Sequence, residues 1–375
     1  MRMSVDELFE QLRRYPDVEA PNLFAVDAAD RLILDVAAAD LRAAAPGEVA
    51  VIGDSYGALT LGAATAFGVT GLRVHQDPRT AELALEHNAH AAGLHTMYRN
   101  CKLGGDLLGG ARVVLLQLPR SLAELTEIAE TVASHAAPDV RIYAGGRDKH
   151  LTLAMNDVLG MSFAHVQATR GRQKARVLVC LEPRPPAQLS FPVVEDHPEL
   201  GVTVVAHGGV FSGARLDIGT RFLLDFLPRM RTGDAVDLGC GTGVLAVALA
   251  RRGHRVIATD NSASAVASAA KTLIANNVVA PTIRDDAMTG FDADSADLIV
   301  CNPPFHIGAA VHTGAAVKLF REAGRVLRST GELWTVHNSH LNYRGVLDRL
   351  VGPTDVVGRN RKFTVTRSVR MPERG

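Results

Sequence analysis

An internal duplication constrains this chain more than any other feature of its sequence. Four landmarks recur in the same order at a nearly constant separation of 183 to 187 residues: Gly53 with Gly239, Asp77 with Asp260, Gln117 with Asn302, and Gly171 with Gly358. The first three follow or end short apolar strands, and the fourth opens a basic stretch. A repeat this long is that of a whole domain, so two copies of one fold are expected.

Each copy alternates short apolar strands with segments of helical periodicity, such as Ser121–His135 and Ala315–Arg328. This alternation favours an α/β fold with an open, mostly parallel sheet and helices on both faces. The proline-rich segment Pro183–Pro192 is typical of a connector. We therefore predict one domain over residues 1–185 and a second over residues 190–375.

Composition excludes several classes of protein. Hydrophobic residues make up 47% and charged residues 21%, which is typical of globular domains. Lysines plus arginines and acidic residues number 40 each, so net charge indicates no partner. The four cysteines form no C-x-x-C pair, and no apolar run approaches the roughly 18 residues of a membrane span. We expect a cytoplasmic protein without a structural metal, and we assign no metal to the cluster of His87, His90 and His95.

A glycine-rich loop, Asp237–Gly243, follows a predicted strand in the second copy and opens a helix of small residues. The next strand ends at Asp260, an acid placed to accept ribose hydroxyls. Val244 stands where a dinucleotide fingerprint has a third glycine or an alanine. Asp237, just before the first glycine, would repel a pyrophosphate and suits a cationic ligand.

The loop Asp-Leu-Gly-Cys-Gly-Thr-Gly resembles the first motif of class I S-adenosylmethionine-dependent methyltransferases. The resemblance implies two tandem Rossmann-like methyltransferase domains, the first of them degenerate. It also implies S-adenosylmethionine as the cofactor, with an acid near Arg284–Ala287 contacting the adenine amino group. The implied cofactor-binding residues in this half are Asp237, Gly239, Cys240, Gly241, Gly243, Asp260, Asn261, Asp286, Ala287 and Asn302.

A rigid tetrapeptide, Asn302–Phe305, ends the fourth strand of the second copy, where open α/β sheets bind ligands. The Asn302 side-chain oxygen and the Pro303 carbonyl could each accept one hydrogen of a planar amine. Two acceptors favour a pyramidal nitrogen and direct its lone pair toward a methyl donor. Pro303 and Pro304 restrict the backbone, and Phe305 would stack on a ring. These four residues are the predicted catalytic clamp.

Asn-Pro-Pro followed by an aromatic residue resembles the signature of amino methyltransferases acting on adenine N6, guanine N2 or glutamine N5. The stretch Gly209–Arg221 and the Asn-Pro-Pro-Phe-His sequence resemble those of bacterial ribosomal RNA guanine-N2 methyltransferases. The chain length and the ending from Asn360 are closer to the large-subunit member. In that family the segment before the sheet closes over the cofactor, which would place Phe211 and Asp217 near the methyl donor.

The first copy lacks the chemistry of the second. Gly-Asp-Ser-Tyr-Gly replaces the glycine loop, and Gln117 followed by Leu118 and Pro119 replaces the clamp. We therefore interpret this half as a non-catalytic scaffold. Two basic stretches lie at repeat-equivalent positions and favour contact with RNA phosphates. The predicted RNA-binding residues are Arg170, Arg172, Lys174, Arg359, Arg361 and Lys362.

These observations favour methyl transfer to guanine N2 in ribosomal RNA, free or in a ribosomal subunit, without a membrane or metal partner. The alternatives are an adenine-N6 or glutamine-N5 methyltransferase, and a non-catalytic RNA-binding scaffold. The oligomeric state is left open, with a monomer favoured.

Overall fold

The computed structural model describes residues 3–303 and 309–372, of which residues 309–313 are described by their backbone alone. The chain divides into two compact units, Met1–Phe191 and Pro192–Gly375. The division falls at the end of the proline-rich segment. Among the described residues, no helix combines the length and apolar character needed to cross a membrane.

The first unit alternates helices and strands along its length. Its described helices are α1 (Val5–Gln11), α2 (Ala28–Ala43), α3 (Ala58–Phe67), α4 (Arg79–Ala91), α5 (Gly105–Leu108), α6 (Leu122–His135) and α7 (Leu153–Ser162). Its strands are β1 (Val49–Ile52), β2 (Leu72–His75), β3 (Tyr98–Asn100), β4 (Val113–Gln117), β5 (Arg141–Arg147), β6 (Phe163–Ala168) and β7 (Ala175–Pro183). A short 3-10 helix, Asp148–His150, follows β5.

The second unit begins with a separate hairpin of β8 (Val193–His197) and β9 (Val202–Ala206). Its other strands are β10 (Asp234–Leu238), β11 (Arg255–Asp260), β12 (Thr282–Arg284), β13 (Ala296–Cys301), β14 (Leu327–Asn338), β15 (Thr354–Arg359) and β16 (Phe363–Val369). Its described helices are α8 (Ile218–Leu224), α9 (Val244–Arg251), α10 (Ala263–Ala275), α11 (Ala309–Val326) and α12 (Arg344–Leu350), with 3-10 helices Leu227–Arg229 and Ser339–Leu341.

The two large sheets share one topology. Their strand orders are β3-β2-β1-β4-β5-β7-β6 and β12-β11-β10-β13-β14-β16-β15. In each, five strands run parallel and a final hairpin joins antiparallel to them. The predicted duplication of an open, mostly parallel α/β sheet is therefore confirmed.

The central strands are buried on both faces, as expected for parallel strands covered by helices. Val49–Ile52 is buried at every position, and so is the stretch Leu298–Cys301. Because successive residues of a strand point to opposite faces, Leu298 and Val300 enter one core, and Ile299 and Cys301 enter the other. This alternation directs Asn302 toward the face that carries α8 and α9.

Candidate active site

Four strand ends converge at the carboxyl edge of the second sheet. Strands β10, β11, β12 and β13 are parallel neighbours, so the segments that follow them lie along one edge. These segments contain the glycine loop, Asp260, Asp286 and Asn302. Ligands of open α/β sheets bind at this edge.

The glycine loop has an open side and a packed side. Its three glycines have positive φ, and a Cβ on Gly239 or Gly241 would have no atom within 4 Å. A Cβ on Gly243 would lie 3.0 Å from the Cα of Ala269 in α10. Gly243 therefore lets the start of α9 pack closely against α10, and the first two glycines leave room for a ligand.

Asp237 lies beneath this loop. Its Oδ2 accepts a hydrogen bond from the Ala246 backbone N–H at 2.9 Å, and its buried Oδ1 has no partner among the described residues. Burial raises the pKa of this carboxyl to about 7, and the charge of Asp260 adds to the shift. In the structure Asp237 therefore organises the first turn of α9, and its cofactor contact stays a prediction.

Asp260 is held by the backbone on both sides. Its Oδ2 accepts from the Gly241 N–H at 3.0 Å, and its Oδ1 accepts from the Ser262 N–H at 2.9 Å. The carboxylate is thereby fixed at the end of β11 beside the glycine loop, the position predicted for a ribose-binding acid. Asn261 follows it and is partly buried.

Asp286 follows β12 and is buried against a cation. Its Oδ2 accepts from Lys318 Nζ of α11, and 6% of its surface is exposed. Ala287 is next, with a φ of 58°. A ligand that contacts Asp286 would share this carboxylate with Lys318, a neighbour that the sequence did not indicate.

The two cysteines of the site are poor nucleophiles. Cys240 and Cys301 are buried, and burial raises the pKa of both thiols. A buried thiol far above its usual pKa supplies no thiolate at neutral pH. Neither cysteine is therefore suited to form a covalent intermediate.

Asn302 has a fixed orientation. Its Nδ2 donates to Asp217 Oδ2 at 2.8 Å and to Thr220 Oγ1 at 3.1 Å. Since a carboxylate only accepts hydrogen bonds, the amide nitrogen must face Asp217. The Asn302 Oδ1 therefore points the other way, and it is buried without a partner in the described part of the chain. An orphaned buried acceptor is costly, so this oxygen is available to a donor from a ligand or from water.

Of the remaining three clamp residues, the structure describes Pro303. Pro303 is buried directly after Asn302. Pro304 and Phe305 lie outside the described residues. Phe211, in the turn before α8, exposes 57% of its surface.

The basic stretches form hairpin tips at the carboxyl edges of the two sheets. Residues 360–362 join β15 to β16, where Asn338 of β14 pairs with Phe363. Arg359, Arg361 and Lys362 are exposed, and neither arginine has an acidic partner among the residues described. In the first unit the tip joins β6 to β7, and there Arg172 pairs with Asp35 while Arg170 and Lys174 are exposed.

In the first unit, hydrogen bonds among the unit's own residues close the region of the glycine loop. Asp54 accepts from the N–H groups of Leu59 and Thr60 at 2.7 and 2.8 Å. Ser55 N–H donates to Gln76 Oε1 at 3.0 Å, where the second unit uses Asp260. The expected pairing of Asp77 with Asp260 is thus wrong by one residue, because the neutral Gln76 occupies the equivalent position.

Side chains also cover this degenerate loop. Arg14 stacks over the Tyr56 ring with its Cζ 4.6 Å from the centroid, and the Tyr56 hydroxyl donates to Asp17 at 2.6 Å. Gln117 donates to Asp30, the third residue of α2, much as Asn302 donates to Thr220, the third residue of α8. The amide anchor thus survives in the first unit, while the acid that would bind a ribose does not.

Sequence reasoning missed Thr220 and Gly219. Asp217 caps α8 and accepts from the Thr220 N–H at 2.9 Å, so the Asp-x-x-Thr spacing was a visible capping signal. No local pattern indicated that Asp217 also binds Asn302, 85 residues further along the chain.

The histidine cluster shows no metal geometry. The rings of His90 and His95 stack at 4.7 Å, and His87 lies 5.4 Å from Tyr15. Within the described ranges, no group of three or more His, Cys, Asp or Glu residues could hold a metal ion.

Comparisons with known proteins agree with this geometry. Residues 201–367 match the family model described as "Methyltransferase small domain", and residues 2–184 match "RLMG N-terminal domain". A solved T. thermophilus 16S rRNA N2 methyltransferase, in complex with AdoMet and guanosine, has a TM-score of 0.73 and 23% identity. The match covers 98% of this chain and 100% of the solved chain. This likeness shows a shared fold.

Curated relatives carry the name Ribosomal RNA large subunit methyltransferase G. The protein of Shewanella amazonensis is 34% identical over 96% of both chains, and that of Streptomyces avermitilis is 34% identical over the same shares. The Pseudomonas aeruginosa protein is 34% identical over 95% of this chain and 96% of its own. The family resemblance seen in the sequence is thereby confirmed, and the chain belongs to the ribosomal RNA large subunit methyltransferase G family.

Proposed function

We propose that this protein transfers a methyl group from S-adenosylmethionine to the exocyclic N2 amine of a guanine in large-subunit ribosomal RNA. The observation that carries the proposal is the buried, unpartnered Oδ1 of Asn302 at the ligand-binding edge of the sheet. Family membership and the names of the relatives support the substrate class.

The residues at this edge fit the cofactor. The open side of Gly239 and Gly241 leaves room for the amino-acid moiety, and Asp260 is fixed beside it to accept ribose hydroxyls. We assign the adenine amino group to Asp286. Asp237 lies beneath the loop with a pKa raised to about 7 by burial, and a cationic ligand there would favour its ionised form. When bound, S-adenosylmethionine supplies an electrophilic methyl group on a sulfonium centre.

The clamp acts on the nucleophile. Asn302 Oδ1 accepts one hydrogen of the guanine amine, and we assign the other hydrogen to the carbonyl oxygen of Pro303. Two acceptors favour a pyramidal nitrogen and so restore the lone pair that the ring otherwise delocalises. Pro303 has a restricted φ, which limits rotation of its carbonyl. Phe305 is assigned to stacking on the base. The amine loses its proton to water after transfer, so no general base is required.

The basic hairpin of the second unit is positioned to bind the RNA backbone near the clamp. Phe363 begins β16 directly after the hairpin turn, and its Cε1 would lie 3.3 Å from a Cβ added to Gly219 in α8. The same added Cβ would lie 3.4 Å from Asn302 Nδ2. Phosphates flanking a base held at Asn302 would therefore be within reach of Arg359, Arg361 and Lys362.

We assign the first unit to scaffolding and RNA contact. Asp54 and Tyr56 of its loop are hydrogen-bonded to the unit's own groups. The carboxyl edge of its sheet carries several exposed cations. Lys149 lies near Lys174 there, since the neighbouring Asp148 N–H bonds to the Lys174 carbonyl at 2.9 Å. Arg120, Lys149 and Arg147 also lower the pKa of His150, after the larger effect of burial. We place the enzyme in the cytoplasm, acting as a monomer.

The test is methylation of defined RNA. Purified protein is incubated with methyl-labelled S-adenosylmethionine and with large-subunit or small-subunit ribosomal RNA, each naked or assembled. Labelled nucleosides are then identified by mass spectrometry. N2-methylguanosine in large-subunit RNA is expected. Label in N6-methyladenosine or in a protein glutamine would overturn the guanine assignment, and failure to bind S-adenosylmethionine would leave an RNA-binding scaffold.

A further inference from the structure

We propose that Asp217 and Thr220 are positioning residues that hold the Asn302 amide with its oxygen toward the substrate. The inference rests on the proposed function, because it concerns the same clamp. It assigns Asp217 to Asn302 rather than to the methyl donor, and it adds Thr220 to the site.

The side-chain amide of Asn302 has an acceptor oxygen on one side and a donor nitrogen on the other. An asparagine side chain can rotate by half a turn and exchange its oxygen and nitrogen at little steric cost. If Asn302 did so, it would present two N–H donors to an amine that also donates. The clamp would then repel the substrate it is meant to hold. Neighbouring groups must therefore give the two amide orientations of Asn302 different free energies.

Asp217 and Thr220 make one amide orientation more stable than the other. Both protons of Asn302 Nδ2 find acceptors, in Asp217 Oδ2 at 2.8 Å and Thr220 Oγ1 at 3.1 Å. The reversed amide would place Oδ1 against the carboxylate, oxygen against oxygen. Hydrogen bonds to a charged acceptor are about twice as strong as neutral ones. The observed orientation is therefore strongly preferred, and it leaves Oδ1 unpartnered.

The local helix keeps these acceptors in place. Asp217 is the N-cap of α8 and Thr220 is its third residue, with the Thr220 N–H bonded to the same Asp217 Oδ2 at 2.9 Å. Gly219 lies between them because the site is crowded. A Cβ there would be 3.0 Å from Asp217 Oδ2 and 3.4 Å from Asn302 Nδ2.

The degenerate unit repeats the anchor without the clamp. Gln117 donates to Asp30, the third residue of α2, whose N-cap is Asp27. Because the Asn-Pro-Pro sequence is absent from this unit, we expect its anchor to serve folding alone. The pair of Gln117 and Asp30 therefore provides a matched internal control.

The test separates positioning from cofactor binding. Asp217→Ser keeps a good N-cap but has too short a side chain to reach Asn302, and Thr220→Val keeps the shape but removes the acceptor. We expect kcat to fall by about 10- to 100-fold in each, since small misplacements at a reacting group cost up to this much. KM for RNA and Kd for S-adenosylmethionine should stay within about threefold of wild type. Thr220→Ser should regain most of the kcat that Thr220→Val loses.

The matched control is Asp30→Asn, which should change stability but leave kcat at the wild-type value. If Asp217→Ser weakens S-adenosylmethionine binding and leaves kcat at saturation unchanged, Asp217 serves the cofactor and the inference fails. Unchanged kcat in both Asp217→Ser and Thr220→Val also overturns it.

A readout without catalysis distinguishes this inference from the proposed function. The side-chain amide signals of Asn302 in 15N NMR spectra should show slow hydrogen exchange in wild type and fast exchange in Asp217→Ser. If wild type methylates no RNA but this protection is present, the proposed function fails and the anchor stands. Equal exchange rates in wild type and Asp217→Ser would show that Asp217 does not anchor the Asn302 amide.

Discussion

At the scale of single residues, the site is an arrangement of acceptors. Asn302 offers one buried lone-pair-bearing oxygen, and Asp260 offers a carboxylate already oriented by two backbone N–H groups. The thiols of Cys240 and Cys301 are kept protonated by burial. Methyl transfer to an amine requires this kind of site, because the methyl donor is already activated and the nucleophile needs only its lone pair.

Replacing Asn302 by alanine should abolish detectable methyl transfer, because removing one preorganised hydrogen-bond partner of a reacting group costs about 10²- to 10³-fold in rate. Affinity for S-adenosylmethionine should remain within a few fold, as measured by calorimetric titration. Gln117→Ala is the control, since it deletes the equivalent amide in the first unit and should not change kcat. Wild-type activity in Asn302→Ala would refute the clamp.

Asp30 gives a pH-dependence of stability with a defined sign. Burial, the largest cause, raises the pKa of its carboxyl from 3.8 to about 8 in the folded protein. Between these values the folded state holds a proton that the unfolded state has lost, so stability falls as pH rises. This group alone gives a slope of up to about 1.4 kcal/mol per pH unit between pH 4 and 8. Denaturant melts of wild type and Asp30→Asn across this range should show a flatter profile in the variant, and parallel profiles would contradict this pKa.

At the scale of elements, the C-terminal hairpin packs beside Asn302 and carries the cations that we propose bind RNA. Its turn is closed by Asn360, whose Oδ1 accepts from the N–H groups of Lys362 and Phe363 at 2.9 and 2.7 Å. The Lys362 carbonyl accepts from Ser339 N–H at 2.9 Å at the end of β14. The exposed cations thus project from a tip that is tied to the sheet, which limits the entropy lost when they bind phosphate.

Arg361→Ala should weaken RNA binding and flatten its salt dependence. For a single strand, each phosphate that the protein no longer neutralises reduces the steepness of log K against log salt concentration by about 0.7. Filter binding at several salt concentrations measures this. Arg252→Ala is the charge-matched control, because Arg252 is exposed in the turn before β11, at the opposite edge of the sheet. Equal slopes for Arg361→Ala and wild type would remove this hairpin from the RNA-binding surface.

At the scale of the whole molecule, two sheets of one topology have diverged in chemistry. The first unit keeps the glycine turn and the amide anchor, yet Gln76 stands where Asp260 would bind ribose. Asp54 and Tyr56 occupy its loop with hydrogen bonds to the unit's own groups.

Cofactor titration should therefore give one S-adenosylmethionine per chain. Asp260→Ala should eliminate this binding because the second unit provides the single site, whereas Gln76→Ala should leave the stoichiometry and Kd unchanged. Isothermal titration calorimetry measures both quantities. A stoichiometry of two, or binding that persists in Asp260→Ala with wild-type affinity, would show that the first unit binds the cofactor.

The sequence by itself determined the duplication, the fold class, the family and the edge of the sheet at which the site lies. These follow from local patterns, because hydrophobic periodicity predicts the elements and parallel strands place their following loops at one edge. The tertiary structure alone decided three further points: Gln76 rather than Asp77 matches Asp260, Asp237 lies beneath the loop, and Asn302 is anchored by Asp217 and Thr220. The physical reason is that strand register and hydrogen bonds between residues some 85 positions apart arise from packing, which no local pattern encodes.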